Sequence, residues 1–312
     1  GHYQPHEPLD DYYYDLLDKE TMIWQARLLH DYGIDGLCMY HYWFSSDEKV
    51  LEKPVENLLE WKDIDMPFCM TWANESWLNK WSRREGLHWN NKKLHEPSSV
   101  EVIFQQTYGR EEDWEKHFNY LLPFFKDERY IKIDNKPVFH VYDTENIEQF
   151  ENMISCWRRL SFQNGFDGIY IVSANMYHKV DENNSAIDAY YNFEPRHSVE
   201  DYRNRFYFKI FIWWKQKLLM QINRMLGTNI FIGRRDARRI YKLILTEKEK
   251  SVGKKVYYGI FPGYDDTPRR QETGMVYEKN SPELFKKTLF KLVRKSERIN
   301  NEFIYINAWN EW

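Results

Sequence analysis

Phe303-Ile304-Tyr305-Ile306-Asn307-Ala308-Trp309-Asn310-Glu311-Trp312 is the stretch that decides how this chain is read. An apolar run rises at once into Asn, Trp and a carboxylate. That is the pattern of a buried strand whose C-terminal end opens into a site. Phe68-Cys69-Met70-Thr71-Trp72-Ala73-Asn74-Glu75 repeats the shape. Either stretch alone reads better as a strand end whose Asn and Glu cap neighbouring loops. Their recurrence shifts the reading toward a site.

Working outward, similar apolar runs predict strands at 34–43, 67–72, 138–142, 168–172, 186–193, 256–261 and from 303 onward. Helical spacing separates most of them. Met22, Ile23, Ala26 and Leu29 share a face over 19–32, which Gly33 closes. A short helix is expected at 54–59, and another from Ser98 or Ser99 with a following run through Trp114, Phe118 and Leu121. A further helix is expected around 147–160. Ser281 caps a last helix, with Pro282 at its first position and Phe285, Leu289, Leu292 and Val293 on its buried face. Strands alternating with helices imply a parallel sheet with crossover connections. The expectation is an α/β, (β/α)8 TIM-barrel-like fold over 1–312, a single catalytic domain lacking its first strand. An open doubly wound sheet is the alternative, but no Gly-rich phosphate loop follows any predicted strand.

The 312 residues are 42% hydrophobic and 29% charged, enough apolar material for a large core. A net charge of −4 argues for no nucleic-acid partner. The 13 Trp, 23 Tyr and 19 Phe suit stacking on sugar rings, although bulk core accounts for most of them. Cys38, Cys69 and Cys156 are too scattered for a disulfide framework, so reduced thiols are expected. No C-x-x-C or His/Cys cluster in the sequence points to a metal, and no cofactor is expected. Neither a signal peptide nor an apolar span of membrane length is present in the sequence, which suggests a cytoplasmic protein. The chain begins with Gly1 and stops inside a motif, so a fragment is expected, with termini that could hold a targeting signal.

Residues 201–250 break the rhythm with thirteen Lys or Arg against four Asp or Glu. A helical insertion spanning 198–252 is expected, solvated by its charges. Its Phe206-Tyr207-Phe208-Lys209-Ile210-Phe211-Ile212-Trp213-Trp214 run makes peripheral membrane contact an alternative. The phosphate of a lipid-linked or nucleotide-linked sugar is another partner for that charge.

Six motifs together resemble the WbsX-type glycosyltransferase family, which is also described as glycoside hydrolase family 99-like. They are Gly1-His2-Tyr3-Gln4-Pro5-His6, Tyr40-His41-Tyr42-Trp43-Phe44, Leu51-Glu52-Lys53-Pro54, Trp72-Ala73-Asn74-Glu75-Ser76-Trp77, the run from Phe261 through Arg270, and Ile306 through Trp312. They run in family order from one end of the chain to the other. The resemblance implies a (β/α)8 fold and work on an oligosaccharide or polysaccharide in cell-surface polysaccharide or O-antigen synthesis. It also implies truncation at both ends. Related endo-acting mannosidases carry a Glu-Trp-His-Glu motif. Glu311 matches its second Glu, while Ala308 stands where the first would be.

Glycosidic chemistry needs a proton donor at the linking oxygen and a second carboxylate near the sugar carbon. Glu311 is the expected acid/base, with Trp309 and Asn310 beside it, and Glu75 is its expected partner. Trp72, Asn74, Trp77, Tyr40, His41, Tyr42 and Tyr142 end strands and are candidates to contact sugar. Asp265 and Asp266 compete between turn capping and function, and Arg269 between a substrate anion and an ion pair. Three classes stay open: a hydrolase, a transferase or transglycosylase, and a non-catalytic glycan-binding module. On defined oligosaccharides, Glu311→Gln and Glu75→Gln are each expected to lower turnover by about 10²–10⁴-fold. Full activity in Glu311→Gln removes this mechanism, and glycan binding without wild-type turnover favours the third class.

Overall fold

The computed structural model describes residues 12–78, 101–204, 213–226, 233–247, 253–267 and 274–309. The elements run α1 (Lys19–Tyr32), β1 (Leu37–Ser45), β2 (Glu48–Val50), α2 (Lys53–Glu60), β3 (Phe68–Trp72), β4 (Trp77–Leu78) and β5 (Val102–Phe104). Then come α3 (Glu111–Phe125), β6 (Lys132–Ile133), β7 (Lys136–Val141), α4 (Phe150–Gln163), β8 (Tyr170–Asn175) and β9 (Ala189–Asn192). The remainder is α5 (Arg196–Asn204), α6 (Trp213–Leu226), β10 (Gly233–Asp236), α7 (Ala237–Thr246), β11 (Lys255–Ile260), β12 (Met275–Glu278), α8 (Pro282–Arg298) and β13 (Ile304–Ile306).

Local signals explain the element ends. Asp18 accepts a hydrogen bond from the Glu20 amide to start α1, and Gly33 closes it in the left-handed conformation, with φ 68°. Ser281 accepts from the Leu284 amide, and Pro282 opens α8 where a missing amide hydrogen costs nothing. The capping expected at Ser98 or Ser99 lies outside the described residues. Val102–Phe104, just after that cap, form β5, and the second expected run is α3, which starts at Glu111, where the Asp113 carboxylate accepts from the Arg110 amide at 3.0 Å.

The central sheet is mostly parallel. In space its parallel strands follow chain order, β1-β3-β7-β8-β9-β11-β13, and each of the seven corresponds to a strand read from the sequence. Each pairs in parallel with the next. The short β2 adds antiparallel to the outer edge of β1. Among the described residues the sheet shows no pairing between β1 and β13.

It is nonetheless strongly curled. Strands in a sheet lie about 4.8 Å apart, so flat placement would set β7 and β13 about 19 Å from each other. Instead His140 Nε2 on β7 lies 2.8 Å from the Tyr305 hydroxyl on β13. Both faces are largely buried over β3, β7, β8 and β9, whereas β1 exposes Cys38 and Tyr40. On the helix side, Phe68, Met70, Trp72, Phe139 and Trp157 belong to a core under α1–α4, and Tyr241, Ile244, Ile260 and Leu292 to a second under α7 and α8. On the concave side, Val138, Val172, Ala189, Tyr191 and Tyr257 form a third core with Tyr305 packed on it. Burial on both faces is why these strands read as continuous apolar runs.

The basic segment differs from a purely helical insertion. Its described part contains β10, paired in parallel with β12. Ala237, Ile240, Tyr241 and Ile244 of α7 are buried in the second helix-side core, and Tyr241 donates to the Phe261 carbonyl at 2.7 Å. On α6, Trp214, Leu218 and Met225 are exposed beside Lys215 and Lys217.

Arg129 braces the N-terminal end of the sheet. It donates to both Asp127 carboxylate oxygens and to the carbonyls of Leu58, Trp61 and Ile64, at 2.7–3.0 Å. Burial pushes the Asp127 carboxyl up, but bonds from Arg129 and Lys62 outweigh it and hold the group well below the usual carboxylate range. Arg129→Ala orphans the three carbonyls and strips Asp127 of its main partner. A loss of about 3–5 kcal/mol is expected in chemical denaturation. Because the Asp127 value is depressed, its contribution is present above the ordinary carboxylate range, about pH 4, and fades as pH falls through the folded value. Arg129→Ala is therefore expected to flatten the acid limb of stability against pH.

Candidate functional site

The C-terminal ends of the parallel strands gather one set of polar and aromatic side chains. Tyr40 and Tyr42 alternate onto the same face of β1, with ring centroids 6.1 Å apart. Tyr42 meets Trp77 edge-on at 5.1 Å. Glu75 follows β3, half-buried. Tyr142 follows β7 and meets Phe193, which follows β9, at 5.3 Å. Arg196 opens α5, lies 5.0 Å over the Tyr177 ring and donates to the Tyr177 hydroxyl. Burial raises the Tyr142 phenol well above its ordinary value, and the charge of Glu75 raises it further, while Arg196 opposes both. The Glu75 charge in turn favours the charged form of Arg196. The structure therefore brings together Tyr40, Tyr42, Trp77, Glu75 and Tyr142 from the sequence reading. It adds Tyr177 and Arg196, which that reading missed.

Other expected residues stand elsewhere. His41 and Trp72 point to the helix side of the sheet. His41 Nε2 lies 2.8 Å from His117 Nε2. Burial, and then the charge of Lys49, push His41 down to about 3, so it is neutral near pH 7. Trp72 donates to the Trp43 carbonyl at 2.9 Å and is 1% exposed. A cavity of about 150 Å³ lined by Trp43, Trp72, Tyr108 and His117 lies on this helix side, not at Glu75. Asn74 is fully buried. Its Nδ2 donates to the Asp143 carbonyl at 2.6 Å and to the Tyr108 hydroxyl at 3.3 Å, and its Oδ1 accepts from the Asp143 amide at 2.9 Å. It ties the end of β3 to the end of β7 rather than presenting an amide to a sugar. Asp265 accepts from the amide and hydroxyl of Thr267, and Asp266 from the Met275 amide, so both shape the turn before β12. Trp309 is exposed. Arg269, Asn310 and Glu311 lie outside the described residues.

A third missed residue is Glu194, in the Asn192-Phe193-Glu194-Pro195 end of β9. Its carboxylate accepts from the Ser198 hydroxyl at 2.7 Å and amide at 3.2 Å. Burial pushes it up to about 7, against the nearby His197 charge and the Ser198 bonds. Asn307 at the end of β13 donates to the Glu194 carbonyl at 2.8 Å. Gly259 on β11 leaves room for this strand end. A Cβ there would come 3.1 Å from Glu194 Cγ and 2.0 Å from the Asn192 carbonyl oxygen. The sequence signal was a carboxylate directly after an apolar run, the same signal that singled out Glu75 and Glu311.

A profile of the family described as Glycosyltransferase WbsX matches residues 1–312. Protein WxcX of Xanthomonas campestris pv. campestris, in strain B100 and in strain ATCC 33913, is 26% identical over 317 aligned positions. The match covers 100% of this chain, which spans about 40% of the length of those relatives. Among solved structures, the GH99 endo-alpha-mannosidase from Bacteroides thetaiotaomicron superposes with a TM-score of 0.53 at 13% identity, covering 96% of this chain and 69% of that one. A glycoside hydrolase-like protein gives 0.52 at 12% identity, covering 96% and 78%. At such identities the likeness is one of fold.

Asn74→Ala leaves the Asp143 amide and carbonyl without their side-chain partner inside the strand-end layer. It is expected to lower stability by about 1–3 kcal/mol in chemical denaturation, and an unchanged midpoint would refute its bracing place.

Proposed function

The chain belongs to the glycosyltransferase WbsX family, and from that premise we propose that it is a carbohydrate-active enzyme acting on a glycosidic bond in polysaccharide synthesis. The observation that carries the proposal is the carboxylate of Glu75 set among Tyr40, Tyr142, Tyr177 and Arg196 at the C-terminal ends of consecutive parallel strands. That rim is where barrel enzymes hold their chemistry, and the consecutive order and curl of the strands support a (β/α)8-like reading. Aromatic rings beside a carboxylate suit a sugar, whose ring faces stack while its hydroxyls find acceptors.

In this reading Glu75 stabilises the positive charge that develops at the sugar carbon or assists the attacking group. Arg196 fixes an anionic or hydroxyl substituent. Glu311 is the proton donor in the assignment drawn from the family motif. Glu194 is a second candidate for that role, favoured by one observation: burial keeps it protonated up to about pH 7. A carboxylic acid neutral near the working pH can protonate a leaving oxygen. Hydrolysis and transfer share this machinery and differ in whether water or a sugar hydroxyl accepts the glycosyl group.

No helix among the described residues is long and apolar enough to cross a membrane. The exposed Trp214, Leu218 and Met225 of α6, flanked by Lys215 and Lys217, support a peripheral contact with an anionic surface carrying a lipid-linked substrate.

The proton donor is identified from kcat/KM against pH on a defined oligosaccharide. An essential acid with the Glu194 value makes kcat/KM fall as pH rises through about 7. With Glu194 as donor, Glu194→Gln lowers activity about 10²–10⁴-fold and abolishes that limb. A limb that persists in Glu194→Gln and vanishes in Glu311→Gln assigns the role to Glu311.

A further inference from the structure

We propose that His178, His197 and Glu247 form a binding site for a zinc-type divalent transition-metal ion. The proposal is independent of the glycosidic reading. The donor atoms of these three side chains lie within 4.8 Å of one another. They come from the loop after β8, the first turn of α5 and the residue that ends α7.

Hydrogen bonds set which nitrogen of each ring carries its proton. His197 Nδ1 is 3.0 Å from the Asn175 carbonyl oxygen. A carbonyl only accepts, so Nδ1 holds a hydrogen and Nε2 is the nitrogen that can offer a lone pair to a cation. That Nε2 lies 2.8 Å from Glu247 Oε1. A nitrogen lone pair and a carboxylate oxygen that close repel unless a cation stands between them. A proton meets that need for the pair alone. His178, however, brings a second imidazole to the same place, with ring centroids 3.8 Å apart. Its Nε2 bonds the His197 carbonyl oxygen at 2.9 Å, which puts its own lone pair on Nδ1.

The outer partners fit a metal. Metal-binding imidazoles commonly donate their second nitrogen to a carbonyl, and both rings do so here. Glu247 Oε2 accepts from Asn192 Nδ2 at 2.8 Å, and Asn192 Oδ1 accepts from Asn175 Nδ2 at 3.0 Å. A tetrahedral ion with arms of about 2.1 Å sets its donors about 3.4 Å apart, within the 4.8 Å limit that encloses the three donors. Two imidazoles and one carboxylate suit zinc or a neighbouring first-row ion, not the all-oxygen shells of calcium or magnesium. The other clusters of similar composition among the described residues differ. His140 beside Cys38 and Cys69 directs its nitrogens to the Met70 carbonyl and the Tyr305 hydroxyl, groups outside that cluster. Arg159 occupies the space between Glu111, Glu115 and Cys156. An ion at His178, His197 and Glu247 would clamp the turn that carries Glu194 and Arg196.

The test is titration of untagged, chelator-treated protein with Zn²⁺, with native mass spectrometry for stoichiometry and zinc-edge X-ray absorption for the donor set. One Zn²⁺ per chain with two imidazole donors is expected. Glu247→Gln and His178→Ala are each expected to weaken binding at least about tenfold, and Asn192→Ala about 10–100-fold, with circular dichroism confirming the fold. Glu247→Gln retains the side-chain shape and serves where His178→Ala does not fold. No stoichiometric binding by the wild type, a sulfur-containing or all-oxygen donor set, or undiminished affinity in Glu247→Gln overturns the proposal.

Discussion

The contact between His140 and Tyr305 ties the third parallel strand to the seventh across the concave side of the sheet. It exists because successive strands pair in chain order and each twists relative to the last, so the sheet curls until distant strands touch. The interior this creates is filled by aliphatic and tyrosine side chains together. Tyr191 and Tyr305 meet there at a tilt, with centroids 4.6 Å apart, and Tyr170 and Tyr257 share a hydrogen bond at 2.9 Å. Buried hydroxyls and an imidazole that find one another avoid the cost of unpaired polar groups. The curl also points the strand ends at a common centre, so residues far apart in sequence converge at one rim.

Burial governs the chemistry of that rim. On the helix side it keeps His41 neutral, so the His41–His117 contact is a neutral hydrogen bond within the aromatic core. On the rim it keeps Glu194 protonated toward pH 7. Glu75 is half-buried, and its charge is among those that raise the Tyr142 phenol after burial itself.

The seven parallel strands were legible because burial on both faces writes apolar runs, and their polar ends mark the rim. The α1 and α8 boundaries were legible because Asp18, Gly33, Ser281 and Pro282 act through local backbone chemistry. The basic segment reads from its sequence as a helical insertion, and its described part adds the short β10 to helices α5, α6 and α7. Ala237, Ile240, Tyr241 and Ile244 hold helical spacing and pack into the core. The pairing of β10 with β12 joins segments about forty residues apart, which no local pattern encodes.

The sequence by itself determined the α/β class, the seven parallel strands and which strand ends carry carboxylates, because these follow from periodicity and short-range propensity. Only the tertiary structure decided which way those side chains face. It turned His41 and Trp72 into the helix-side core, spent Asn74 on joining two strand ends, and set Glu75 beside Tyr142 and Arg196. It also brought His178 and His197 to Glu247, fifty residues further along. Strand alternation and the curl of the sheet fix such meetings in three dimensions, and a spacing along the chain carries no record of them.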